Sequence, residues 1–351
     1  MITGLDIGSS RISAVAAEIG GDNICNVLAH ASHASRGVMR GAVVDMGDAV
    51  SSVSRTLAKL KDKMGRRPEN IFVTVSGHNV KGERSRGMIP LSMRGREVTK
   101  ADIERCVNVA STIKLPFDRE VLHRITHNFS IDDQPPVKNP AGLYASRLSC
   151  EMYIITADVN HIQNLHKCVN DAGYDVSDLV FTGIADGAAL LDDSEKEAGA
   201  ALLHMGKLLT DVSIFSGGVL DEMAVIPVGA DDIDGAFGES ITFDGLTKRI
   251  QGIMDAFSKR GGNIGSVTLT GGLAFADGII ETLEERFPYP IKMGIVKDVR
   301  GEISSIDSIR LAAAIGSVRY ANGLRAKKAV EKKSLMQRVS TAVVELFNNY
   351  F

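Results

Sequence analysis

The sequence predicts a two-lobed α/β protein with a small α+β module inserted in its first half. Three observations predict it. The segments Gly4–Val15 and Ala201–Phe215 each read as strand, tight polar turn, strand, and they lie far apart in the chain. Around each hairpin, β-branched runs alternate with segments of helical periodicity, the texture of a layered α/β domain. Between the hairpins, residues 81–160 change texture: Pro90, Pro116, Pro135, Pro136 and Pro140 gather there.

The elements follow in order. Ile2–Leu5 and Ile12–Glu18 read as strands. Asp48–Met64 carries Val50, Val53, Leu57, Leu60 and Met64 at helical spacing, and Arg66-Arg67-Pro68 ends it. Ile71–Val75 is β-branched and aromatic, a buried strand. Within the insert, Thr99–Ile113 is expected as a helix, and Arg119–Ile131 and Leu148–Thr156 as strands around the turn-rich Asp132–Gly142. A helix over Asn160–Gly173 shows Ile162, Leu165 and Val169 on one face. The second half holds the second hairpin, a strand over Met223–Val228, an acidic turn at Asp231–Asp234 and a helix over Gly245–Arg260. Strand Val267–Leu269 then leads into Thr270-Gly271-Gly272. Ala276–Phe287 reads as helix, Pro290–Val296 as extended, and Ser308–Ala321 as a helix rich in small residues. The expected domains are 1–80 with 160–180 as first lobe, 81–159 as insert, 181–322 as second lobe, 323–333 as polar linker and 334–351 as amphipathic helix.

Composition narrows the class. The 351 residues are 44% hydrophobic and 24% charged, ordinary for a soluble globular chain with room for a large core. A net charge of −3 supplies no field for nucleic acid, so no nucleic-acid partner is expected. The four cysteines lack Cys-x-x-Cys spacing and read as reduced thiols. The first residues enter a strand directly, so no signal peptide is expected, and no apolar run approaches the roughly 18 residues that span a bilayer.

The hairpins suggest phosphate chemistry. A glycine turn lets backbone N–H groups converge on an anion because no Cβ intervenes. In the first turn, Gly8 opens the backbone and Ser9, Ser10 and Arg11 add donors, while Asp6 suits a Mg²⁺-bound water. A strand follows this turn, which excludes P-loop and Rossmann sites, since both need a helix N-terminus there. The second turn reads His204-Met205-Gly206-Lys207-Leu208-Leu209-Thr210-Asp211. Gly206, Thr210 and Asp211 suit phosphate binding. His204 is a poor Mg²⁺ ligand, and Leu208 and Leu209 put branched bulk where bare backbone is wanted. Lys207 can neutralise a phosphate or occupy its place.

Such paired hairpins clamp nucleotide phosphates in actin-like ATPases, where an intact second turn reads Asp-x-Gly-Gly-Gly-Thr-Thr-Asp. Together with Arg36–Met46, Val73–Gly77, Arg96–Thr99, the stretch His127–Leu148 containing Asn139–Leu143, and Thr270–Gly272, they make the chain resemble the bacterial cell-division FtsA family over nearly its whole length. The resemblance implies the actin-like, ribonuclease H-like fold, with residues 81–159 as the family's inserted subdomain. It implies ATP and Mg²⁺ as cofactors, held by Asp6, Gly8, Ser9, Ser10, Arg11, Gly206, Lys207, Thr210, Gly271 and Gly272, with Asp6 toward the metal. It implies polymerisation, FtsZ and later division proteins as partners, and a place on the cytoplasmic face of the inner membrane. Two departures count against catalysis: the altered second turn, and the short run from Ile226 through Gly245, which leaves the second lobe's lid reduced or missing.

The C-terminal stretch carries its own signal. Leu335, Met336, Val339, Val343, Leu346, Phe347 and Tyr350 recur at three- and four-residue spacing, with Lys332, Lys333 and Arg338 beside them. This pattern suits a helix lying in an anionic membrane interface. The expected function is a membrane-associated, polymerising division scaffold with weak or no ATP hydrolysis. The alternatives are an active ATP-binding FtsA that anchors FtsZ and a PilM-like pilus assembly protein. His123 with His127, the His161–Cys168 stretch, and Asp231 with Asp232 and Asp234 read as ordinary core, surface and turn residues rather than metal sites. A sugar or acetate kinase would need the intact second loop.

Overall fold

The structure, a computed structural model, describes residues 1–132, 134–233 and 243–326. Asp234 of the expected acidic turn and the whole amphipathic segment 334–351 lie outside these residues, as do Lys332 and Lys333 beside it.

Two sheets carry the fold. In the first, the strands run Val176–Phe181, Ile71–Val75, Ile2–Ile7, Arg11–Ile19, Cys25–Ala34 and Val299–Gly301 across the sheet. In the second they run Val219–Ile226, Thr210–Ser216, Ala200–Met205, Ser266–Thr270 and Ile291–Met293. Both sheets join an antiparallel meander of three strands to parallel neighbours, and each hairpin turn closes the first two strands of its meander. The central strands are apolar on both faces because helices cover both sides.

Local chemistry places the helices. Met46–Met64 begins where the Asp45 carboxylate accepts the Asp48 N–H at 2.8 Å and ends at the left-handed Gly65. It buries Ala49, Val53, Leu57 and Leu60 against the first sheet. The expected strand over Met223–Val228 is shifted: it spans Val219–Ile226, because Gly217 and Gly218 form the turn into it. The expected helix over Ala276–Phe287 is shorter, a 3₁₀ turn at Gly272–Phe275 followed by Ile279–Glu284. Asp231 and Asp232 sit in a short helix, Ala230–Ile233, rather than a turn. Residues 323–326, expected to open a linker, continue the helix that starts at 312, and Leu324 packs against the first-lobe core.

The insert is a separate layer. Val80–Pro90, Arg147–Asp158 and Arg119–Ile131 form an antiparallel sheet in that order, and helix Lys100–Ser111 covers it with a Thr99–Asp102 capping box. Its own core includes Cys106, Leu148, Cys150 and Ile154. The opposite face docks on the edge strand of the second lobe. There the Tyr153 hydroxyl donates to Glu222 at 3.2 Å and accepts the Met223 N–H at 3.0 Å, and Arg84 binds Asp221 at 2.6 Å.

Candidate functional site

The two hairpin turns face each other across a cavity of about 450 Å³ between the lobes. Asp6, Gly8, Ser9, Ser10 and Arg11 line one side, Gly206 and Lys207 the other, and Gly271 and Gly272 close the end of a third strand. Nine of the ten residues expected at a nucleotide are therefore brought together. Thr210 is the exception. It is fully buried, and its hydroxyl donates to the Val228 carbonyl at 2.8 Å, so it holds the hairpin to the next strand instead of facing the cavity.

Both turns close in the same way. The Gly8 N–H donates to the Arg11 carbonyl at 3.1 Å, and the Gly206 N–H to the Leu209 carbonyl at 2.8 Å. Leu208 is buried at 6% exposure, and the cavity persists beside it. The leucines thus leave the second turn its shape. Gly271 meets the same hairpin so closely that a Cβ would lie 2.5 Å from the Met205 carbonyl oxygen, and its φ of +89° excludes other residues in any case.

What changes is the charge. His204 Nδ1 lies 2.6 Å from Oδ2 of Asp186, a residue with no solvent exposure on helix Thr182–Leu190. Burial opposes the imidazolium, but the Asp186 carboxylate outweighs it, aided by Asp211 and Asp6, and the His204 pKa is raised to about 9. At neutral pH the site floor therefore holds a cation. Burial raises the Asp6 carboxyl against the hydrogen bond from Thr74 Oγ1 at 2.6 Å. Burial also pushes Asp211 up to about 6, although Ser76 donates to it at 2.5 Å. Lys207 is paired with Asp231 at 3.4 Å.

These residues do not fit Mg²⁺. The best-buried carboxylate is engaged by an imidazolium, and a divalent ion beside it would meet like charge. Among the described residues, no group of three or more His, Cys, Asp and Glu could hold a metal ion. Asp6, expected toward a metal, lines the cavity, where its carboxylate accepts from Thr74 beside a cationic neighbour.

Sequence reasoning missed Asp186, Thr74 and Ser76. Asp186 left a usable signal, a lone acid within the small and apolar run Gly183–Leu190. It also missed Arg40, whose guanidinium reaches from the first lobe to Asp232 at 2.6 Å and to the Leu208 carbonyl at 3.2 Å.

The chain resembles the PilM-PilN type IV pilus biogenesis complex with a TM-score of 0.67, covering 91% of this chain and 98% of that one at 15% identity. That likeness concerns the fold, and with the paired hairpins it defines the class of architecture: an actin-like fold. Residues 77–156 match the family described as the SHS2 domain inserted in FTSA. Cell division protein FtsA of Pseudomonas aeruginosa is 28% identical, with 91% of this chain and 89% of that protein covered. FtsA of Borreliella burgdorferi is 29% identical over 98% of this chain and 94% of its own length. FtsA of Escherichia coli is 30% identical over 68% of this chain and 57% of its own. The chain is FtsA-like, an actin-like cell-division protein.

Proposed function

We propose that this protein is a membrane-associated actin-like scaffold of bacterial cell division with little or no ATP hydrolysis. It polymerises on the cytoplasmic face of the inner membrane and tethers or recruits division proteins, FtsZ among them. The observation that carries the reading is the pairing of cavity-facing His204 with the buried Asp186 in an otherwise intact cleft. Hydrolysis asks for a carboxylate free to orient water and a metal to offset developing charge. Here that carboxylate is engaged, and its partner is a cation.

Further support comes from the lid. Only residues 227–242 separate the strand ending at Ile226 from the helix starting at Phe243. A nucleotide here stays more solvated than under a full lid and gains less affinity. The membrane part rests on the pattern of residues 334–351, which places Leu335, Val339, Val343, Leu346 and Phe347 along one stripe. Among the described residues, no helix is long and apolar enough to cross a membrane. One interfacial helix binds weakly, and a filament multiplies such attachments into avidity.

Electron microscopy on lipid monolayers, with and without ATP, tests the proposal. Filaments on the lipid in both conditions are the expected result, and filaments that need ATP would contradict it. Co-pelleting with anionic liposomes should require residues 334–351; retained binding after their deletion would take the lipid contact away from this segment, and no binding by the full chain would favour a pilus-assembly role.

A further inference from the structure

The first sheet has an open edge. Strand Cys25–Ala34 pairs with Val299–Gly301 only over residues 25–27. Along 28–34, no strand among the described residues pairs on that side. There the edge is the floor of a second cavity, of about 270 Å³, with helix Met46–Met64 on one bank and helix Ser305–Arg310 on the other. We infer that this edge is a docking groove for an extended acidic segment of another protein. The inference goes beyond the scaffold reading, since filaments, lipid and nucleotide do not enter it.

Charge names the ligand class. Arg11, Arg36, Arg55, Lys59, Lys63 and Arg310 surround the edge, all exposed, and none forms an ion pair with a described residue. Arg55, Lys59 and Lys63 recur every fourth position along one helix face, a spacing at which like charges repel. The carboxylates nearby are fewer: Asp307 lines the cavity, Glu302 acts on His30 from beside it, and Asp48 and Asp62 lie on the same helix as the three cations. The field over the strand is positive even so. Desolvation, then Lys59, Arg55 and Arg36, lower the pKa of His33, and no carboxylate acts against them. His30 is lowered as well, by burial and Lys63 over the opposing pull of Asp307 and Glu302.

The floor asks for a peptide. An unpaired strand edge carries backbone groups that an added strand can meet, and a bilayer offers it no such strand. The His30 carbonyl takes the Lys63 ammonium at 2.9 Å, and that flexible side chain can turn to a carboxylate instead. Residues 28–34 run for about 23 Å at about 3.3 Å each, length enough for a short extended segment. The cavity is smaller than the roughly 300 Å³ at which small-molecule sites begin, so it suits one or two side chains of such a segment. A second copy pairing edge to edge would set these cations against one another.

Fluorescence anisotropy with the full chain tests this, using labelled peptides of about eight residues that alternate Glu with Thr, or Gln with Thr as the neutral control. The Glu peptide should bind about tenfold or more tightly than the Gln peptide, and more weakly as salt rises. Its binding should slow amide exchange along 28–34. No binding, equal binding of the two peptides, or protection elsewhere overturns the inference. Arg55→Glu with Lys59→Glu, both outside the cavity between the lobes, should weaken the Glu peptide by about tenfold or more, and unchanged affinity counts against the groove. Excess Mg-ATP should leave the peptide bound; displacement would assign the cations to the cleft and overturn the inference. Phosphatidylglycerol vesicles should treat the parent chain and the double variant alike, whether or not they pellet, so failure of the membrane reading is read separately. Pelleting lost only in the variant would give the patch to lipid and overturn the inference. If the variant fails to fold, the peptide comparison and the exchange pattern of the parent chain decide alone.

Discussion

His123 joins three parts of the molecule at one ring. It lies on the insert strand Arg119–Ile131, and its Nε2 accepts the Phe181 N–H at 2.9 Å. Nδ1 must then carry the proton, which it donates to the Tyr320 hydroxyl at 3.1 Å. Burial lowers its pKa from 6.5 to about 4. The folded value lies below the unfolded one, so the contribution is complete above about pH 6.5 and fades as pH falls toward 4, where the unfolded chain takes up a proton that the native ring refuses. The shift corresponds to about 3 kcal/mol. In urea unfolding at pH 7 and pH 4.5, His123→Gln should lose less stability on acidification than the parent. Equal losses would show that the ring is not neutral for this reason. The strand was legible in the sequence, but whether the ring lay in the core or on the surface was not. Its partners were not legible either, because Tyr320 is far away in the chain and no local spacing announces it. The same holds for Asp186 and His204, whose pairing follows from two elements meeting.

Elements were most legible where their own chemistry sets their limits. Asp45 and Gly65 bound one helix, Thr99 and Asp102 begin another, and both helices lie close to their expected positions. Boundaries shifted where packing decides them. Leu324 keeps the last described helix going past Gly323, whose composition reads as linker. The matching order of the two sheets was visible only at the hairpins, since burial constrains apolarity and turn shape but not residue identity. Glycine has two meanings along this last helix. A Cβ on Gly316 would lie 1.8 Å from the Ala185 carbonyl oxygen, whereas one on Gly323 would meet nothing within 4 Å. Gly316→Ala should therefore cost about 1–3 kcal/mol by overpacking against helix Thr182–Leu190, which carries Asp186. Gly323→Ala should be neutral or stabilise by up to about 1 kcal/mol. Chemical denaturation of the two variants separates them, and effects of the same sign would mean that the helices do not touch at Gly316.

Across the whole molecule, the cleft is spanned by side chains as well as by any ligand it takes. Arg40 belongs to the early motif Arg36–Met46 in the first lobe. Its guanidinium contacts Asp232 and the Leu208 and Pro227 carbonyls, all in the second lobe. Asp232 has 8% of its side chain exposed and also accepts the Gly229 N–H at 2.9 Å, so it has little access to water if Arg40 leaves. Ser76 spans the same gap to Asp211. The insert closes the far side, through Arg84 to Asp221 and His127 to the Leu220 carbonyl at 3.1 Å. Such a closed body can present assembly surfaces in a fixed relation without a bound nucleotide, which a scaffold that does not cycle would need. Arg40→Ala should cost about 1–3 kcal/mol, the scale of losing hydrogen bonds to a charged group. Its signature is local: amide exchange should quicken around 206–211 and 228–232 and stay unchanged in the insert strand 119–131. Arg84→Ala should show the converse, with faster exchange along the edge strand Val219–Ile226 and the hairpins undisturbed. If Arg40→Ala leaves exchange at the second hairpin as it was, the other contacts across the cleft, Ser76 to Asp211 among them, hold the lobes without it, and the motif's arginine has some task other than closing the cleft.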